Sequence, residues 1–120
     1  MVGVNILKEI EGLEEKLNVK LPFIYKKFLC EEVKDIDSYE VESKKGDFIY
    51  IFNFKDLIER NETYTIQDVD PGCLMIGQDG DLGYFIRLDN ESDKVYSLDL
   101  GALGSLAMDE EASDIYDLIK

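Results

Sequence analysis

The sequence predicts an α+β fold: a single domain in which a mostly antiparallel sheet is covered by N-terminal helices and a C-terminal helix. Two patterns carry that expectation. Between Cys73 and Leu100, apolar and polar side chains alternate with the period of two that strands show, and the connections are short and rich in Gly and Asp. Between Ile6 and Val33, apolar residues instead recur every three or four positions, the spacing of one helix face. Short links make the strand pairs antiparallel, because parallel neighbours need a crossover of about a dozen residues or more. With 120 residues and 45% hydrophobic content, the chain has room for one core, and residues 1–120 are expected to fold as one unit.

The first helix places Ile6, Ile10, Leu13 and Leu17 on one face and Lys8, Glu9, Glu11, Glu14, Glu15 and Lys16 toward solvent, with Asn5 suited to its N-cap and Asn18 to its end. Gly12 weakens its middle by up to about 1 kcal/mol relative to Ala. Pro22 suits the first turn of a second helix, since its missing N–H has no intrahelical partner there. Ile24, Tyr25, Phe28, Leu29 and Val33 form that helix's apolar stripe.

Asp35 to Glu42, with Ile36, Tyr39 and Val41 interspersed, reads as a short strand, and Ser43 to Asp47 as a turn. Phe48 to Phe52 is a continuous apolar and aromatic run, the pattern of a buried strand. Asn53 caps a short helix with Phe54, Leu57 and Ile58 inward, expected to fray over Asn61 to Thr65. Pro71-Gly72 then punctuates the chain before the central meander. That meander comprises a strand from Cys73 to Ile76, a turn from Gly77 to Gly83, a strand from Tyr84 to Leu88, a turn from Asp89 to Lys94 and a strand from Val95 to Leu100. Tyr84, Ile86 and Leu88 share one face against Phe85 and Arg87, and Tyr96, Leu98 and Leu100 alternate with Val95, Ser97 and Asp99, which predicts one dry and one wetter face. Gly101 and Gly104 mark a loop. Ile115, Tyr116, Leu118 and Ile119 form a last helix, capped by Ser113 or Asp109, with Asp109, Glu110 and Glu111 at the positive end of its dipole.

Charge narrows the function. The net charge is -14, and residues 1–60 carry 13 acids against 10 bases while residues 61–120 carry 14 acids against Arg87, Lys94 and Lys120 alone. Such a surface repels free nucleic acid, whose binding relies on Lys and Arg displacing counterions; it either attracts a basic protein or simply keeps a cytosolic protein soluble. No apolar run approaches the roughly 20 residues of a spanning helix, no export signal is recognisable, and Cys30 and Cys73 read as free thiols, so a cytoplasmic protein is expected.

Catalytic signals are few. The chain has no histidine, the commonest general base and metal ligand, and lacks the close cysteine pairs of a structural zinc site. Asp79 and Asp81, with Asp99, are the one carboxylate group suited to acid–base work or a divalent ion. Asp and Gly are also what a tight turn between strands demands, because Gly tolerates positive φ and Asp bonds its own backbone. The turn reading is the better supported, and no enzyme, metal or cofactor is expected.

Leu21, Pro22, Tyr25, Phe28 and Leu29 resemble the leucine, proline, tyrosine, phenylalanine, leucine signature of the SUKH superfamily, which includes fungal cell-wall-assembly regulators of the Smi/Knr type and many bacterial immunity proteins. Leu74-Met75-Ile76-Gly77, Asp79-Gly80, Gly83 and Val95-Tyr96-Ser97-Leu98-Asp99 continue the resemblance, which spans residues 6–119. The chain departs from longer members in its compact Asp35 to Asp47 region and in having no Trp. The resemblance implies helices packed on a mostly antiparallel sheet. It also implies a non-enzymatic immunity protein that binds and neutralises a polymorphic toxin, a nuclease for example, or alternatively a regulatory protein-binding scaffold. Its partner would be a basic toxin domain, with neither nucleic acid nor membrane bound directly. The candidate contacts are the acids of the expected loops, Asp68, Asp70, Asp79, Asp81, Asp109, Glu110 and Glu111, with Tyr64 and Tyr84 as aromatic anchors.

Overall fold

A computed structural model describes residues 6–18, 20–70, 72–88, 93–103 and 107–119. Asn5, Pro71, Gly104 and most of the Asp89 to Lys94 turn lie outside the described residues. Helix α1 spans Ile6–Leu17 and buries Ile10 and Leu13 as its periodicity predicts. Asn18, at φ 56°, ends it in the left-handed region that Asn tolerates. Helix α2, Phe23–Phe28, has Pro22 as its N-cap, one place before the expected first turn, and runs on into a single π-helical turn, Leu29–Val33. Tyr25, Phe28, Leu29 and Val33 are all buried, so the second stripe is continuous across both.

Six strands follow in an antiparallel sheet whose spatial order is their chain order: β1 Tyr39–Glu42, β2 Phe48–Ile51, β3 Cys73–Asp79, β4 Leu82–Arg87, β5 Val95–Asp99 and β6 Asp109–Ala112. Helices α3, Phe54–Thr63, and α4, Ile66–Val69, connect β2 to β3, and α5, Ile115–Leu118, follows β6. The α+β architecture is therefore as the sequence predicts. The sheet curls until its first hairpin meets the end of the chain: Ser43 bridges Ile119, and the Lys44 N–H donates to the Leu118 carbonyl at 3.0 Å.

Several local expectations are corrected. The first strand is confined to Tyr39–Glu42, and Ile36 stands exposed before it. β2 is not buried throughout, since Phe48 is exposed. The β3–β4 turn shrinks to Gly80 and Asp81, because Asp79 still pairs with Leu82 and Gly80 supplies the positive φ, 58°, needed at the first position of a tight loop. The meander has no wholly wet face: Cys73 to Gly77 and Gly83 to Ile86 are consecutively buried, so both sides of β3 and β4 are covered. Leu100 leaves β5 for a 3₁₀ turn, Leu100–Ala102.

α3 does not fray at Asn61, which is buried and fully bonded. Finally, Asp109, Glu110 and Glu111 form strand β6 rather than a helix cap, because β5 offers them a ladder. The N-cap of α5 is Asp114, whose side chain accepts from the Asp117 N–H.

Candidate partner-binding surface

Strand order brings acids from distant parts of the chain to one end of the sheet. β3 ends at Asp79, β4 begins at Leu82, β5 ends at Asp99 and β6 begins at Asp109. The β1–β2 turn carries Asp47 to the same end, because Tyr50 pairs with Gln78 and the antiparallel ladder then runs toward Gly80. The register fixes the row Asp79–Leu82–Asp99 and places Asp109 opposite Ser97. Asp47, Asp79, Asp81, Asp99 and Asp109 thus form an acidic rim, with Asp81, Asp99 and Asp109 exposed and Asp47 and Asp79 half-buried.

Local chemistry explains why acids suit these positions. Asp81 completes the hairpin turn, and its carbonyl accepts the Leu100 N–H at 2.8 Å. Asp99 starts the 3₁₀ turn by accepting the Gly101 N–H at 2.8 Å. The two lysines of the β1–β2 turn are already engaged: Lys44 pairs with Asp117 at 2.9 Å, and Lys45 pairs with Glu111. Glu111 also accepts the Ser97 hydroxyl at 2.5 Å. Burial pushes the Glu111 carboxyl up, but the hydrogen bonds from Lys45 and Ser97 outweigh it and hold the group below the usual carboxylate range. Asp117 is held down to about 2 by hydrogen bonds from Lys44 and Ser113.

The field of the rim reaches the core. Burial, reinforced by the charges of Asp47, Glu111 and Asp79, pushes the Tyr84 hydroxyl up to about 12.

The nine expected contact residues divide. Asp79, Asp81 and Asp109 share the rim, while Glu110 and Glu111 follow along β6, Glu110 lying 3.3 Å from Lys94. Asp70 sits at the opposite end, where it accepts from the Arg87 guanidinium at 2.6 and 3.3 Å and from the Gly72 N–H, so its carboxylate is committed to the fold. Asp68 is exposed on α4 and Tyr64 half-buried at the end of α3, both away from the rim. Tyr84 is corrected as an anchor: it is 1% exposed and offers no surface to a partner. Asp47 and Asp99 join the rim although neither was expected as a contact. Asp99 stands with Asp79 and Asp81 in the sequence only as a candidate for acid–base work, and no motif marks Asp47; the sheet topology is what makes both neighbours of Asp79.

Among the described residues, no group of three or more His, Cys, Asp or Glu side chains could hold a metal ion, and no helix is long and apolar enough to cross a membrane. Compared with known families, residues 7–120 match the family described as SMI1 / KNR4 family (SUKH-1). No curated protein matches the chain.

Proposed function

The chain belongs to the SMI1 / KNR4 family (SUKH-1), and from that premise we propose that it is a non-catalytic immunity protein that captures a basic toxin domain with its acidic rim. The observation that carries this reading is the convergence of Asp47, Asp79, Asp81, Asp99 and Asp109 at one end of the sheet. Opposite charge steers encounter and can raise association rates to about 10⁸–10⁹ M⁻¹s⁻¹ at low salt. A protein guarding its own cell gains from such speed, because the toxin must be covered before it acts. Occlusion needs only a rigid surface, and the rim is held by paired strands rather than by a long loop.

Family membership also admits a regulatory scaffold that binds a cellular enzyme. A pull-down from the native host at low and high salt, with bound proteins identified by mass spectrometry, separates the two. Recovery of a basic toxin domain at low salt, weakened at high salt, supports immunity. Recovery of a cell-wall or signalling enzyme instead replaces it with the regulator.

A further inference from the structure

The acidic rim adjoins a depression of about 320 Å³ on the sheet surface beside α3, bordered by Glu40, Phe48, Tyr50, Arg60, Gln78 and Asp79. Two of these residues each carry a buried polar atom with no hydrogen-bond partner among the described residues: Arg60 Nε, a donor, and Gln78 Oε1, an acceptor. Neither is idle for want of a fixed position. Gln78 Nε2 donates to the Gly80 carbonyl at 2.9 Å, which fixes the amide and leaves Oε1 as the free end. The Arg60 guanidinium lies 6.0 Å from the centre of the Phe52 ring, and its ion pair with Glu59, 3.6 Å from Nε, is too long for a hydrogen bond.

Leaving a buried donor and a buried acceptor unmet is unfavourable, and a ligand that meets both recovers that loss. Charge selects the ligand class. Arg60 repels a cation that Asp79 and Glu40 attract, and those carboxylates repel an anion that Arg60 attracts, so neither ion meets a uniformly favourable field and a neutral group carrying one acceptor and one donor fits best. Geometry narrows the class again, because a primary amide presents its carbonyl and one N–H on the same edge, whereas a trans peptide group points them in opposite directions. We propose that this depression receives the side-chain amide of a glutamine or asparagine from the protein partner. The inference rests on the binding-protein reading above and adds a specificity contact to it. Both atoms are covered in the free protein, so the amide reaches them only when the side chains around the depression shift; Glu40 and Phe48, which also border it, are exposed, the latter to 57%.

The test follows the Arg60 Nε–H and Gln78 side-chain signals by ¹⁵N NMR while acetamide, N-methylacetamide, methylguanidinium or acetate is titrated in. Acetamide is expected to shift both signals saturably, with the other three at least about tenfold weaker. Gln78→Met should abolish the acetamide response of the Arg60 signal, and Arg60→Lys that of the Gln78 signal, while each leaves the thermal midpoint within a few degrees of wild type. Equal, non-saturating responses to all four probes would overturn the proposal. So would an Arg60 signal that no probe moves, the mark of an ordered water only. No toxin takes part, so a negative result leaves neutralisation standing, and failure to capture a toxin leaves the amide site standing.

Discussion

Asn61 and Met75 exchange hydrogen bonds across the helix–sheet interface: the Asn61 carbonyl oxygen accepts the Met75 N–H at 2.8 Å, and its Nδ2 donates to the Met75 carbonyl at 2.9 Å. Met75 stands at the edge of the register irregularity in the β3–β4 ladder, between Met75 and Gly77. Asn61 also donates to the Leu57 carbonyl and accepts from Gln67 Nε2, so a single buried amide ties α3, α4 and β3 together.

Replacing Asn61 with Leu strands the Met75 N–H and carbonyl in the core. Each buried unmet group costs about 1–3 kcal/mol, so Asn61→Leu should lose roughly 2–5 kcal/mol in urea unfolding. A loss below about 1 kcal/mol would show that the hub is not structural.

Gly12 lies exposed in the middle of α1, and a Cβ placed there meets nothing within 4 Å. Gly12→Ala should therefore stabilise the protein by about 0.5–1 kcal/mol, read as a raised thermal midpoint.

Gly77 is the opposite case. A Cβ there would lie 2.7 Å from the Tyr50 carbonyl oxygen, a backbone atom of the neighbouring strand. Gly77→Ala should force β2 and β3 apart and destabilise by roughly 1–3 kcal/mol. A variant as stable as wild type would mean that the strands separate freely.

Acid should weaken the clasp between the first hairpin and β6. Glu111 is held below its ordinary value of 4.5, its bonds to Lys45 and Ser97 outweighing the upward push of burial. A depressed carboxyl contributes stability that is complete above the ordinary value and lost as pH falls through the lowered one. Glu111→Gln should accordingly cost stability at pH 7 and progressively less as the pH drops below about 4.5, with the two unfolding curves converging. A constant difference between them would exclude the linkage.

Much of the fold is legible in the sequence because it is written in periodicity. The stripes of α1 and α2 and the alternation around Tyr84 and Tyr96 each report a local face, and Asn53 caps α3 as expected, accepting the Asp56 N–H at 2.8 Å. What escaped is set by distant partners. Asn61 reads as a fraying signal because Asn is a weak helix former, and only Met75 makes it an anchor. Asp-Glu-Glu-Ala has poor strand propensity, and the β5 ladder overrides it. The acidic rim is half legible: Asp79, Asp81 and Asp109 stand out as loop acids and Asp99 as a candidate partner of the first two, whereas Asp47 joins them only through strand order.

The most direct test of the rim is the association rate with the captured toxin domain, by stopped flow, for wild type and the Asp79→Lys, Asp81→Lys, Asp109→Lys triple variant. Asp68→Lys, away from the rim, serves as the control. The rim account predicts a rate about 10–100-fold lower for the triple variant at low salt, a flattened salt dependence and little change for Asp68→Lys. A triple variant that associates as fast as wild type, with the same salt dependence, would contradict it.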